Sequence, residues 1–188
     1  MPLTPEYEAR FLSVDPEQIA ATLRAKGGTC ELPRTLMRRI VFKNADIEAR
    51  RGWLRLRDEG NRTVLTYKQV ASDTSAIDSI LEAEVEVGDF PATQNLLEAM
   101  GFTALRYQEN YREEWVLDGV TFDLDTWPDL DPFLEIEGPD EAAVRHAAAT
   151  LAFDFTNATF GSVDEVYLNV LSRDILTEPT LTFAARTV

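Results

Sequence analysis

The chain of 188 residues holds one cysteine, Cys30, and one histidine, His146. A single thiol excludes a disulfide framework and a thiolate metal cluster. A single imidazole excludes a multi-histidine zinc site and any mechanism that needs two imidazoles. Bases are scarce, with 18 Lys and Arg against 33 Asp and Glu, a net charge of -15. A diffuse basic surface for nucleic acid or an anionic membrane is therefore excluded, and an anionic ligand needs a local concentration of the few cations. No lysine follows Lys68. No apolar run approaches the roughly 18 residues of a membrane helix, and Met1 to Thr4 lacks a basic region followed by an apolar one, so a cytoplasmic location is expected. A bound metal would sit among carboxylate oxygens, which suits Mg²⁺, Mn²⁺ or Ca²⁺.

Apolar material is sufficient for a core: hydrophobic residues are 45% and charged ones 27%, which is not the balance of a disordered chain. The length fits one domain, expected over 1–175, with 176–188 as a C-terminal tail. Asp15 and Pro16 open a helix that Gly27 and Gly28 stop. A second runs from Asp89 to Met100, with Leu96, Leu97 and Met100 as its apolar stripe, and a third from Asp140 to Leu151. Ser162 and Glu165 form a capping box for a last helix, whose buried stripe is Val163, Val166, Tyr167, Val170 and Leu171. Lys43 to Gly52 and Ala71 to Ala76 read as polar connections, and Asp58 to Asn61 as a tight turn. An acid-bearing strand, a helix and three strands occur twice in order, an internal repeat that sets Glu8 and Glu86 in equivalent positions.

On a strand every second side chain points to one face. Glu6, Glu8 and Arg10 share a face of the first strand, with Tyr7, Ala9 and Phe11 on the other. The same phase recurs in Arg55 and Arg57, Lys68, Glu84 and Glu86, Arg112, Asp123 and Asp125, and Glu135 and Glu137. Two architectures account for this: an open antiparallel sheet with a solvated charged face, or a barrel with apolar faces outward under helices and charges around a wet channel. Charges inside must be paired or bind ions. Acidic and basic rows together suit a metal-bound polyanion, with carboxylates on Mg²⁺ or Mn²⁺ and Arg and Lys on phosphate oxygens. The implied ligand is a chain of phosphates.

Glu6, Tyr7, Glu8, Ala9, Arg10 resembles the ExExK signature of the CYTH domain, the triphosphate tunnel metalloenzymes, which include class IV adenylate cyclases, thiamine triphosphatases and inorganic triphosphatases. The resemblance continues in order through Leu54 to Arg57, Thr66 to Lys68, Glu84 to Glu86, Arg112, Asp123 to Pro128 and Phe133 to Gly138. It implies an α+β fold, an eight-stranded antiparallel β-barrel whose tunnel binds a triphosphate and a divalent metal, Mg or Mn, with helices outside. Carried over by position, Glu6, Glu8, Glu135 and Glu137 are metal ligands, with Asp125 assisting. Arg10, Arg55, Arg57, Lys68 and Arg112 bind phosphate, and Glu84, Glu86 and Asp123 line the tunnel; the phase of Met37, Arg39 and Val41 adds Arg39 as a further phosphate-binding candidate. Glu6, Glu8, Arg10 and Lys68 form the expected catalytic set. The implied activity is that of a metal-dependent triphosphatase acting on inorganic triphosphate or an organic triphosphate such as ATP or thiamine triphosphate. The alternatives are a class IV adenylate cyclase, forming cyclic AMP and pyrophosphate, and a non-catalytic binder of polyphosphate or nucleotide. The partner expected is a small triphosphate, with neither nucleic acid nor membrane, on a monomer or homodimer.

Two departures stand out. Arg10 replaces the signature's lysine, changing a compact ammonium to a planar fork. Family members commonly carry a lysine near the tyrosine of the last helix, whereas Tyr167 follows Asp164 and Glu165, leaving Arg173 as the candidate replacement. Of the remaining residues, His146 reads as a surface histidine, Cys30 as a packed thiol and Trp127 as packing at the tunnel mouth.

Overall fold

The charged rows turn inward and the apolar rows outward. A computed structural model describes residues 3–71 and 76–183, so most of the 71–76 loop and the last residues of the tail lie outside the described residues. The expected first strand is two short ones, β1 (Thr4–Pro5) and β2 (Tyr7–Phe11), separated at Glu6. Then follow α1 (Pro16–Ala25), β3 (Thr29–Lys43), α2 (Ala45–Ala49), β4 (Gly52–Asp58), β5 (Thr63–Val70), β6 (Ile80–Val87), α3 (Phe90–Ala99), β7 (Thr103–Leu117), β8 (Val120–Thr126), β9 (Phe133–Gly138), α4 (Glu141–Thr150), α5 (Val163–Leu171) and β10 (Thr180–Leu181).

The strands run around the sheet in the order β1-β6-β5-β4-β3-β7-β8-β9-β2. Because β1 and β2 are consecutive, the two ends of that path are one piece of chain. Thr4 pairs with Glu82 on β6 while Tyr7 pairs with Gly138 on β9, and the sheet closes into a nearly complete antiparallel barrel. Counted once, the interrupted strand makes the expected eight; β10 adds to β7 in parallel outside that ring.

Closure leaves the outer apolar faces to be covered. Ala9, Phe11, Trp115, Phe122, Leu124, Leu134 and Ile136 pack with Ala20 and Leu23 of α1 and Val144, Ala147 and Ala148 of α4. Ile40, Phe42 and Leu56 pack with Leu97 of α3. Each large side chain buried this way contributes about 1.5–3 kcal/mol, which is what holds charged faces in the interior. A third cluster, Trp127, Phe133, Tyr167, Ile175 and Leu181, anchors α5 and the segment after it.

Several local expectations change. Of the α3 stripe only Leu97 is buried, while Leu96 and Met100 are exposed, because α3 covers a narrow strip of barrel. Val166 and Tyr167 of α5 are buried, Val163 is half-buried and Val170 and Leu171 are exposed. Ser162 makes no side-chain cap bond, so the capping box does not form. The 43–52 connection contains α2, capped by Asn44 Oδ1, which accepts from Ile47 N at 3.0 Å. The segment read as a tail forms a 3₁₀ turn at Ile175–Thr177 and then β10, and Leu181 is buried.

The repeat is present with a different register. Helices α1 and α3 each have ten residues and an Asp cap, Asp15 and Asp89, and β3 and β7 each have fifteen residues. Glu8 and Glu82 each stand seven residues before that cap, and each faces a charged residue on the next strand, Glu137 and Lys68 respectively. Glu82, rather than Glu86, is therefore the counterpart of Glu8.

Candidate active site

The barrel holds a cavity of about 420 Å³, lined by Glu6, Glu8, Arg10, Arg39, Arg55, Lys68, Arg112, Asp125 and Glu135 among the expected site residues. They come from β2, β3, β4, β5, β7, β8 and β9 and from the break at Glu6, so one closed sheet gathers residues scattered over the chain. Glu137, Glu84 and Asp123 are not part of that lining: Glu137 adjoins Glu6, Glu84 is held by Thr66 Oγ1 at 2.9 Å, and buried Asp123 is paired with Arg112. Arg57 and Glu86 do not line it either: Arg57 is paired with Glu59 and Glu86 is exposed on β6.

On the acidic side, Arg112 is a hub. Its Nε and Nη2 donate to Asp125 Oδ1 and Oδ2, both at 2.7 Å, Nη2 also reaches Glu135 Oε2 at 2.7 Å, and Nη1 meets Asp123 Oδ2 at 2.5 Å. Arg10 takes the other side of Glu135, donating from Nε at 2.9 Å, and from Nη2 both to that carboxylate and to Glu8 Oε1 at 2.9 Å. Burial would push the Glu135 carboxyl up, but Arg10 and Arg112 outweigh it and pull it down to about 2. The Asp123 carboxyl is raised well above the usual range by burial, against the pull of Arg112. Glu8 is likewise raised, first by burial and then by Glu135, with Arg10 opposing.

On the basic side the matching is incomplete. Arg39, only 6% exposed, donates to Asn110 Oδ1 and lies over the Trp127 ring at 4.6 Å from its centroid. Arg55 donates to Thr66 Oγ1 at 3.3 Å, with Glu84 at 3.8 Å. The Nε atoms of Arg39, Arg55 and Arg106 are buried without a partner among the described residues, and all three arginines line the cavity. Burial and the neighbouring guanidinium groups Arg55, Arg57 and Arg112 lower Arg39, and burial and Arg57 bring Arg55 down to about 10, which still leaves it charged at neutral pH. Such donors, in surroundings already short of counter-charge, suit a bound anion.

A third group lies at the seam where β1 and β2 part. One carboxylate oxygen from each of Glu6, Glu82 and Glu137 falls within 4.8 Å of the others. Lys68 Nζ sits among them, 2.5 Å from Glu6 Oε1 and 3.2 Å from Glu82 Oε2. Burial, then Glu6 and Glu82, push the Glu137 carboxyl up to about 7. Three converging carboxylate oxygens are a group that could hold a hard divalent cation. Among the expected ligands, Glu6 and Glu137 belong to this group, whereas Asp125 and Glu135 are taken up by arginines.

Glu82, Arg106, Asn110, Trp53 and Ser162 are not among the expected site residues. Glu82 and Arg106 lie in phase with Glu84 and Arg112, so alternation of charge marks them; Asn110 and Ser162 are uncharged and it does not. Asn110 bridges the two sides, accepting from Arg39 and donating from Nδ2 to Asp125 Oδ1 at 3.2 Å. Trp53 and Ser162 line the cavity. Arg173 does not: it pairs with Asp129 at 2.7 Å and Glu178 at 2.7 Å outside the cavity lining, so it does not replace the lysine of the last helix. Arg106 lines the same cavity as the first turn of α5 and feels the charge of Asp164 there. Trp127 is buried beneath Arg39 and packs with Tyr167, His146 is exposed on α4, and Cys30 packs at the edge of the main core.

Solved structures share this fold. A protein of Vibrio parahaemolyticus named as a candidate adenylate cyclase is 12% identical with a TM-score of 0.73, over 90% of this chain and 99% of that one. The PH1012 protein of Pyrococcus horikoshii OT3 is 22% identical with a TM-score of 0.67, over 81% and 93%. HpAC1 of Hippeastrum, a candidate adenylyl cyclase described as having a dominant triphosphatase activity, is 16% identical with a TM-score of 0.60, over 93% and 99%. No curated protein matches in sequence. The model of the CYTH domain matches residues 5–167, and with nearly the whole barrel inside that match the chain belongs to the CYTH family.

Proposed function

We propose that the protein is a divalent-metal-dependent triphosphatase that cleaves inorganic triphosphate or an organic triphosphate in the barrel cavity. The observation that carries this reading is the set of arginine nitrogens without a partner among the described residues, Nε of Arg39, Arg55 and Arg106, buried around one cavity in a protein of net charge -15. A polyanion is the ligand that satisfies them, and arginine forks match phosphate oxygens. The Hippeastrum relative's described triphosphatase activity points the same way.

Glu6, Glu82 and Glu137 would hold the metal, with Glu8 beside them; when bound, it supplies charge neutralisation on the phosphate chain and acidifies water. Arg39 and Arg55 orient the phosphate chain and take up the charge that develops on the leaving phosphate, while Arg106 grips the part of the ligand nearest α5. Arg10 and Arg112 hold Glu135 ionised, and Arg112 holds Asp125 in place. Glu8, which lines the cavity opposite Glu137 in register, would in its ionised form accept a proton from the attacking water. Water adds to the terminal phosphorus, the bond to the bridging oxygen breaks, and orthophosphate leaves with pyrophosphate or an organic diphosphate.

The test is a product screen of inorganic triphosphate, ATP and thiamine triphosphate with Mg²⁺ or Mn²⁺, following orthophosphate, pyrophosphate and cyclic AMP. Orthophosphate release supports the hydrolase. Cyclic AMP with pyrophosphate from ATP replaces it by a cyclase, and tight binding without product by a binding protein.

A further inference from the structure

Arg57 faces into the barrel on β4, paired in register with Arg39 and Val64, yet it is 7% exposed and contributes nothing to the cavity lining. Glu59 holds it, accepting from Arg57 Nε at 2.7 Å and meeting Nη2 with the same oxygen. Glu59 comes from the β4–β5 turn and is itself only 3% exposed; its other oxygen takes Arg62 Nε at 2.6 Å. The turn is pinned in place. Glu59 N donates to Arg62 O at 2.9 Å, and Gly60, at φ 82°, lies so near β3 that a Cβ would come within 2.9 Å of the Thr35 methyl. Met37 and Val64, both fully buried, are the register partners of Asn110 and Arg57 and fill the interior beside them. Arg39 and Arg55 leave an unmatched Nε toward the cavity, whereas Arg57 leaves none among the described residues. A buried Arg–Glu pair is a poor stabilising device in itself, so its position asks for another account.

We infer that Glu59 is a specificity-determining positioning residue: by drawing Arg57 toward the β4–β5 turn it withholds a guanidinium from the ligand and limits how deep a phosphate chain is gripped. This rests on the phosphate reading of the cavity. A chain that ends at Arg39 and Arg55 meets the full set of donors, and a longer one meets Met37, Val64 and a cation already neutralised.

The experiment is calorimetric titration of inorganic triphosphate and tetraphosphate into the full chain with Mg²⁺. The variants are Glu59→Gln, Glu59→Gln with Arg57→Gln, Arg55→Ala, and Asp58→Asn, which makes the same charge change on the same turn. Release of Arg57 adds about one charge-assisted contact, so Glu59→Gln is expected to bind triphosphate about tenfold tighter and to gain more for tetraphosphate. The double variant returns to the wild-type affinity and Asp58→Asn stays there. Affinity in Glu59→Gln that is unchanged or weaker, a gain that survives in the double variant, or an equal gain in Asp58→Asn overturns the inference. Glu59→Asp, which keeps the charge and shortens the reach, gives a smaller gain and serves if the glutamine variant does not fold. If Arg55→Ala weakens binding while both Glu59 variants leave it unchanged, this inference alone fails. If the wild type does not bind triphosphate, the phosphate reading fails and takes the inference with it.

Discussion

Lys68 sets its ammonium 2.5 Å from Glu6 Oε1, across the seam at which the barrel closes. Since Glu82 and Glu137 complete the same group, a divalent cation entering it competes with Lys68 for the Glu6 carboxylate. Glu6→Gln keeps the shape and removes the charge. Metal-dependent phosphate release is expected to fall by roughly two orders of magnitude or more with the fold intact. Full activity in a variant whose circular dichroism matches the wild type would contradict the metal assignment.

Arg55→Ala removes a buried donor whose Nε has no partner among the described residues. A phosphate contact of this kind contributes about 1.5–3 kcal/mol, so KM for triphosphate should rise by about ten- to a hundredfold. An unchanged KM, read beside an unchanged melting temperature, refutes its place in the phosphate grip.

The Glu137 carboxyl, raised to about 7 by burial and by Glu6 and Glu82, links stability to pH. A raised acid favours the folded state while it is protonated. Its contribution is full below the unfolded value near 4.5 and is lost as pH rises through 7. In chelator-treated protein Glu137→Gln should therefore stabilise relative to wild type more at pH 8 than at pH 5, by up to about 3 kcal/mol. Equal differences at both pH values in urea titrations would refute the linkage.

Leu181 is buried in the cluster with Tyr167 and Ile175 that anchors α5. Leu181→Ala should cost about 2–3 kcal/mol in urea unfolding and loosen the α5 side of the cavity, raising KM as well. A loss below 0.5 kcal/mol, roughly the surface level, would mean that the terminal strand does not hold the site.

The barrel was legible because a period of two depends only on which face each residue takes, and burial of the apolar rows then sets the charges inside. The placement of Glu6, Glu8, Arg10, Lys68 and Arg112 around one cavity was legible on that ground together with the ordered family resemblance. Alternation says nothing about position along the barrel axis. Glu82, Glu84 and Glu86 share one phase, and only the pairing of Lys68 with Glu82 decides which of them reaches the seam. Glu59 was seen as turn chemistry, since no local pattern says that a turn residue reaches back to a strand arginine. The α5 stripe was overcounted because a helix at the end of a barrel touches it along one edge, leaving Val170 and Leu171 exposed.

The division of the first strand at Glu6 also bears on how the chain assembles. β1 and β2 seat against β6 and β9, so Tyr7 waits for Gly138 before its ladder can form. Pairings so distant in sequence carry a large loop-closure cost and slow the search. During synthesis the Glu6 segment emerges before both β6 and β9, so the acidic seam is among the last parts of the barrel to find its neighbours. The site is thus completed in the same event that closes the barrel, and an N-terminal truncation that removes β2 would leave an open sheet with two unpaired edges.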